Sequence, residues 1–208
     1  MENLSMKIFL IKNLLYSLLC VLLFTTNEAH AQVPEFLIPK DIVIQQAGSI
    51  GFMSLGIGYP VFKNKRGSLD FNYGYVPEGR GGTLHILSGK FAYRPWKIKI
   101  SDGIKLYPAN PGVFFTYHFG EQFDFYWDKD TYEDGYYWWS TALRPHISIS
   151  TEVELDALKI FKTSKIKGIS LYSEFNTNEL YLVSYFKNVG AVPLRNIFKL
   201  GIGLRVSL

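Results

Sequence analysis

The chain has 208 residues, with 22 Lys plus Arg, 18 Asp plus Glu and one Cys. That length suits one domain with its own core. A content of 48% hydrophobic and 19% charged residues excludes a disordered polyelectrolyte, and a single Cys excludes a disulfide scaffold or a multi-Cys metal site.

The chain opens with a basic stretch carrying Lys7 and Lys12, then an apolar run through Leu14, Leu15, Leu18, Leu19, Val21, Leu22, Leu23 and Phe24. Ala29-His30-Ala31 follows as a small-x-small cleavage box. Residues 1–31 therefore read as a secretory signal peptide. The alternative, a membrane anchor, sits poorly with a stretch this short and broken by Tyr16, Ser17 and Cys20. Leu19 before Cys20 does not fit lipidation. After cleavage no Cys remains, as suits an exported protein, and no later run reaches eighteen apolar residues.

From there the hydrophobic period is two. Gly48 to Tyr59 sets Met53, Leu55, Ile57 and Tyr59 against Ser54, Gly56 and Gly58. Lys63 to Gly67 is a turn. Ser68 to Tyr75 alternates without a fault: Leu69, Phe71, Tyr73 and Tyr75 on one face, Ser68, Asp70, Asn72 and Gly74 on the other. Pro77 to Gly82 is a second turn, and Thr83 to Arg94 reads as extended. Lys97 to Pro111 is expected to be a long connection. Val113 to Gly120 alternates, and Glu121 to Gly135 is an acidic and aromatic loop. Tyr136 to Leu155 is expected to be one long strand, with a bend or bulge at Arg144-Pro145 because Pro donates no ladder hydrogen bond. Lys167 to Ser173 is a strand, Asn176-Thr177-Asn178 a short turn, Glu179 to Phe186 a strand, and Ile197 to Leu208 the last strand. No amphipathic helix of useful length is expected. The count is eight strands, or nine if the long one splits at Arg144-Pro145, and the even number suits a closed single-chain barrel.

Two all-β architectures fit: an eight-stranded antiparallel transmembrane β-barrel, or a soluble periplasmic β-sandwich. A sandwich turns long charged side chains to water. A narrow barrel must instead pack its polar face into a small lumen, and here that face is rich in Gly56, Gly58, Gly74, Gly201 and Gly203. Tyr59, Tyr73, Tyr75, Trp138 and Trp139 suit interfacial girdles. From Gly48 to Leu208 the pattern resembles the small eight-stranded outer-membrane β-barrel proteins of Gram-negative bacteria. Many of these end on an aromatic residue, where this chain has Leu208. The resemblance implies a domain order of 1–31 signal peptide, 32–47 N-terminal periplasmic segment and 48–208 barrel. It also implies an outer-membrane location, with membrane lipid and lipopolysaccharide as neighbours. An extracellular or envelope partner of unknown identity is the further expectation. Scattered basic residues and an exported chain argue against nucleic acid.

His85, His118 and His146 show no metal-ligand spacing, and no phosphate-binding loop stands between a strand and a helix, so no metal or cofactor is expected. His146 and Ser148 share one strand face, with Glu152, Glu154 and Asp156 following on it. This is similar to the barrel esterases that remove an acyl chain from lipid A. That resemblance implies His146 as base and Ser148 as nucleophile, with Glu152 or Glu154 orienting the imidazole. That family carries Asn next, where this chain has Ile149. The alternative is an inward polar face packed in the lumen. Asp70, Lys90, Arg94, Arg144, Glu152, Glu154, Lys199 and Arg205 are expected to pair there and plug the barrel, because a buried unpaired charge is costly. Phe123, Tyr126, Trp127 and Asp128 are the candidate partner contacts. Strand parity puts their loop on the periplasmic side, which conflicts with its length unless one strand before it is uncounted. Three functions stay open: a structural or loop-binding barrel, a serine-type lipid hydrolase, and a soluble lipid- or polymer-binding sandwich.

Overall fold

The structure, a computed structural model, describes residues 34–125, 140–161, 166–189 and 193–208. The expected leader lies outside them. The chain divides after Leu37. In the first unit Glu35–Leu37 makes one 3-10 turn, with Leu37 N–H donating to the Pro34 carbonyl at 2.8 Å. The second unit is a barrel.

Its strands are β1 (Asp41–Ala47), β2 (Met53–Val61), β3 (Gly67–Val76), β4 (Leu84–Tyr93), β5 (Ile98–Ser101), β6 (Ile104–Phe119), β7 (Leu143–Asp156), β8 (Gly168–Asn178) and β9 (Lys199–Ser207). All pairings are antiparallel. The short β5 pairs only with the start of β6. The other eight strands close, through β1 with β9 and β4 with β6, into an eight-stranded antiparallel barrel.

The register fixes its shape. From Asp70, the partners one way round are Lys90, Phe114, His146 and Asn178. The other way they are Gly58, Asp41, Ser207 and Gly168. The two routes reach β8 ten residues apart. A stagger of ten over eight strands tilts the strands by about 40° and gives a backbone radius of about 8 Å. Side chains alone fill such an interior.

The wall is apolar outside and polar inside. Leu55 is 60% exposed and Leu171 59%, and Phe71, Val113, Phe115, Ile147, Leu200 and Ile202 share their face. Asp70, Asn72, Ser88, Lys90, Glu174 and Arg205 are buried. Gly56, Gly58, Gly74, Gly201 and Gly203 all face inward, as the sequence implies. At Gly203 a side chain would collide with the Tyr172 ring on the paired strand.

The strand count matches the expectation through two errors that cancel. Asp41–Ala47 is a barrel strand, so the barrel begins before residue 48, inside the stretch expected to precede it. Conversely, Glu179–Lys187 is helix α2 rather than a strand. Asn178, expected in a turn, ends β8 and caps that helix by accepting the Tyr181 N–H at 3.0 Å. Short helices α1 (Ala157–Phe161) and α3 (Leu194–Ile197) complete the connections. Lys97 to Pro111 is no loop, since β5 and β6 occupy most of it. Pro145 stays in register opposite Phe115, and the irregularity falls instead between Tyr107 and Asn110 of β6. Strand β7 begins at Leu143, and Tyr136 to Trp139 lie outside the described residues.

Asp41 and Ser207 are register partners, so the first and last strands define a near end. The turn Phe62 to Arg66, strand β5 and helix α1 lie at that end. The turns 48–52 and 77–83, the connection leaving β6 at Gly120, and helices α2 and α3 lie at the far end.

Candidate functional site

Alternation sends every second residue into a narrow lumen, so charges there can be held only by one another. Arg205, 6% exposed, donates from Nη1 and Nη2 to the two carboxylate oxygens of Asp70 at 2.8 and 2.7 Å. Its Nη1 also reaches Asp41 Oδ2 at 3.2 Å, and Ser207 Oγ donates to Asp41 Oδ1 at 2.7 Å. Lys90 Nζ lies 2.8 Å from Glu174 and donates to Gln45 Oε1 at 2.9 Å, and the Tyr172 hydroxyl donates to the same oxygen at 3.0 Å. Arg94 pairs with Glu152 at 2.9 Å. Lys105 Nζ and the Tyr107 hydroxyl both donate to Glu154. Arg144 pairs with Glu179 at the start of α2.

Seven of the eight charges expected in this network are therefore in it. Lys199 is the exception: it is exposed, with Nζ 5.4 Å from the Tyr181 ring centroid. Asp41, Gln45, Lys105, Tyr172, Glu174 and Glu179 are members that the sequence reading missed. Asp41, Gln45, Lys105 and Glu179 lay in stretches not read as barrel strands or read as the wrong element, and the partners of all six depend on register. The gap left among Ser68, Asp70, Arg94, Asn110, Glu152 and Arg205 measures about 20 Å³, the size of a water molecule rather than a solute.

Toward the far end the packing is apolar. The turn after β1 folds inward, burying Ile50, and Gly74 has no side chain where the Ile50 carbonyl passes. Ser49 Oγ donates to Asn176 Oδ1 at 2.5 Å. Ile86, and Ile197 of α3, are also buried.

His146 is 5% exposed and stacks on Phe114, with centroids 4.3 Å apart and planes 3° from parallel. Its Nε2 shares a 3.0 Å hydrogen bond with Thr116 Oγ1. Thr116 pairs with Arg144 in the β6–β7 ladder, whereas Ser148 pairs with Gly112. The imidazole therefore bonds away from Ser148, although both residues face the lumen. Glu152 is engaged by Arg94, and Glu154 by Lys105 and Tyr107. The four expected catalytic residues share a face and one strand, but the described side-chain hydrogen bonds of His146, Glu152 and Glu154 run to residues outside the set.

With β1 counted, five barrel strands precede the acidic loop, so it leaves and re-enters the wall at the far end. The parity conflict disappears. Its two legs are clasped: Thr141 and Ala142 N–H both donate to the Asp124 carbonyl at 3.1 Å, and Asp124 N–H donates to Thr141 Oγ1 at 2.7 Å. Phe123 packs on His118, with ring centroids 5.3 Å apart. Tyr126, Trp127 and Asp128 lie outside the described residues.

Aromatic residues collect at both rims of the outer wall. Tyr73 and Tyr75 pack with His85 toward the far end. Tyr59 meets Phe71 edge-on, and Phe62 meets Phe91 and Tyr93, toward the near end.

No protein-family profile and no curated protein matches the chain. Among solved structures it is similar to one described as "De novo design of transmembrane beta-barrels", at 13% identity and a TM-score of 0.38, covering 81% of this chain and 92% of that one.

Proposed function

We propose that the chain is an integral outer-membrane barrel of a Gram-negative envelope, acting as a structural element and through its far-end connections rather than as a pore. One observation carries this reading. Large apolar side chains cover the outer face of every strand of the barrel wall, while the buried face holds paired charges. Such a wall is stable where the surroundings are hydrocarbon, and a barrel is one of the few folds that leaves no backbone group unpaired there. Rings at both rims suit the headgroup layers. Among the described residues, the ion pairs and the gap of about 20 Å³ between them support a plugged lumen. The two longest connections, 120–142 and 179–198, both leave the far end, which suits a far end outside the cell and a near end in the periplasm.

The test is fractionation with heat-modifiable migration. The protein is expected in outer-membrane fractions after a high-salt wash, with a mobility shift between unheated and boiled samples in detergent gels. Recovery as a soluble periplasmic protein, with no such shift, would overturn the membrane location. Fatty-acid release from lipid A that disappeared in both Ser148→Ala and His146→Ala would overturn the non-enzymatic part of the reading.

A further inference from the structure

The near rim carries one feature that a structural barrel does not require. The turn joining β2 to β3 holds Lys63, Lys65 and Arg66, all exposed. It is tied to the segment joining β4 to β5: Arg66 Nη1 donates to the Pro95 carbonyl at 3.0 Å, and Arg94 N–H donates to the Arg66 carbonyl at 2.8 Å. That second segment adds exposed Lys97. Four exposed cations thus lie on two segments tied to each other through Arg66, and none of them is ion-paired among the described residues. The nearby carboxylate Asp102 is taken by Lys99.

Exposed apolar groups are interleaved with these cations. Phe62 is 55% exposed, and its φ of 67°, a costly conformation for a bulky residue, turns the ring outward onto Phe91 and Tyr93. Trp96 is 59% exposed, and Ile98 beside Lys97 is exposed as well. Phe62 and its partner rings continue the apolar outer wall.

We infer that this corner of the near rim is a binding site for anionic phospholipid, with the phosphate held by Lys63, Lys65, Arg66 and Lys97 and the acyl chains laid against Phe62 and Trp96. A free phosphate or an anionic polymer satisfies the cations but leaves the rings and Ile98 in water. A zwitterionic lipid covers the rings but brings no net negative charge. An anionic lipid does both, with long basic side chains reaching up to the headgroup from an apolar base. The inference rests on the membrane reading above.

A variant that keeps Trp96 alone (Trp127→Phe, Trp138→Phe, Trp139→Phe), reconstituted into phosphatidylcholine vesicles, tests it. Part of the lipid is replaced by brominated phosphatidylglycerol or, in parallel, by the same fraction of brominated phosphatidylcholine. Quenching of Trp96 should report about threefold enrichment of phosphatidylglycerol around it. Lys63→Gln, Lys65→Gln, Arg66→Gln and Lys97→Gln together should abolish the enrichment while heat-modifiable migration persists. Equal quenching by the two lipids in an inserted barrel overturns this site and leaves the membrane reading intact. Enrichment that survives the four substitutions overturns the residue assignment. A shift of Trp96 emission by inorganic polyphosphate in detergent, without lipid enrichment in vesicles, assigns the patch to a polymer instead. Absence of insertion overturns both readings.

Discussion

Leu204 and Arg205 are neighbours in sequence and point to opposite sides of β9. Leu204 is exposed on the outer wall, whereas Arg205 is buried among carboxylates. The same contrast runs round the barrel. Outside, side chains are large and apolar and depend on their surroundings. Inside, most are small or polar, a few rings such as Phe114 and Tyr172 pack among them, and they depend on one another. Curvature decides which is which. A wall with a radius of about 8 Å leaves too little room inside for rows of Leu and Phe, so glycine and short polar residues line it and each long charged chain must find a partner in register.

The strongest way to break this contrast is to remove a cation from the inside. Arg205→Ala leaves Asp41 and Asp70 buried without their counter-charge and should cost about 3–5 kcal/mol. Urea unfolding followed by the loss of heat-modifiable migration measures it. Converting the whole cluster together, as Asp41→Asn, Asp70→Asn and Arg205→Met, should recover more than half of that loss. No recovery would show that the ion pairs do more than neutralise one another.

The next test places a cation on the wrong side. Ile202→Arg on the outer face should cost about 2–4 kcal/mol in a bilayer and clearly less in detergent. Equal cost in both would mean that the outer wall is not lipid-facing.

The smallest effect sharpens the site. Ser148 lies half-buried opposite Gly112. If it is lumen filling, Ser148→Ala should change stability by less than about 0.5 kcal/mol. It should also leave the mobility shift unchanged.

Much of this wall was legible. Ser68 to Tyr75 alternates so cleanly that both its faces could be read off the sequence. Strand β1 was hidden because Ile42-Val43-Ile44 is apolar three times running, though Val43 points inward and its neighbours outward. Its loss moved the barrel start and inverted the expected sidedness of each connection up to Asn178, after which the strand wrongly expected at Glu179 to Phe186 restored the count. Helix α2 was misread for the opposite reason: Leu180, Leu182 and Ser184 mimic a period of two, while the deciding signal is a single cap at Asn178. Lumen pairs were legible only by half. Inward parity marked Lys90 and Arg205 as needing partners. Pairing Lys90 with Glu174, far along the chain, depends on the stagger of ten residues, which no local pattern encodes.

The position of Arg205 also bears on how the barrel comes to exist. It belongs to the last strand, β9, and that strand supplies the seam to β1, pairing Ser207 with Asp41. Before β9 docks, β1 and β8 each expose an unpaired edge. At the same stage Asp41 and Asp70 still lack the guanidinium that neutralises them. Sealing the sheet and balancing its interior charge are therefore one assembly step. A chain cut short before Lys199 would fail at both together, leaving two sticky edges and an acidic hollow.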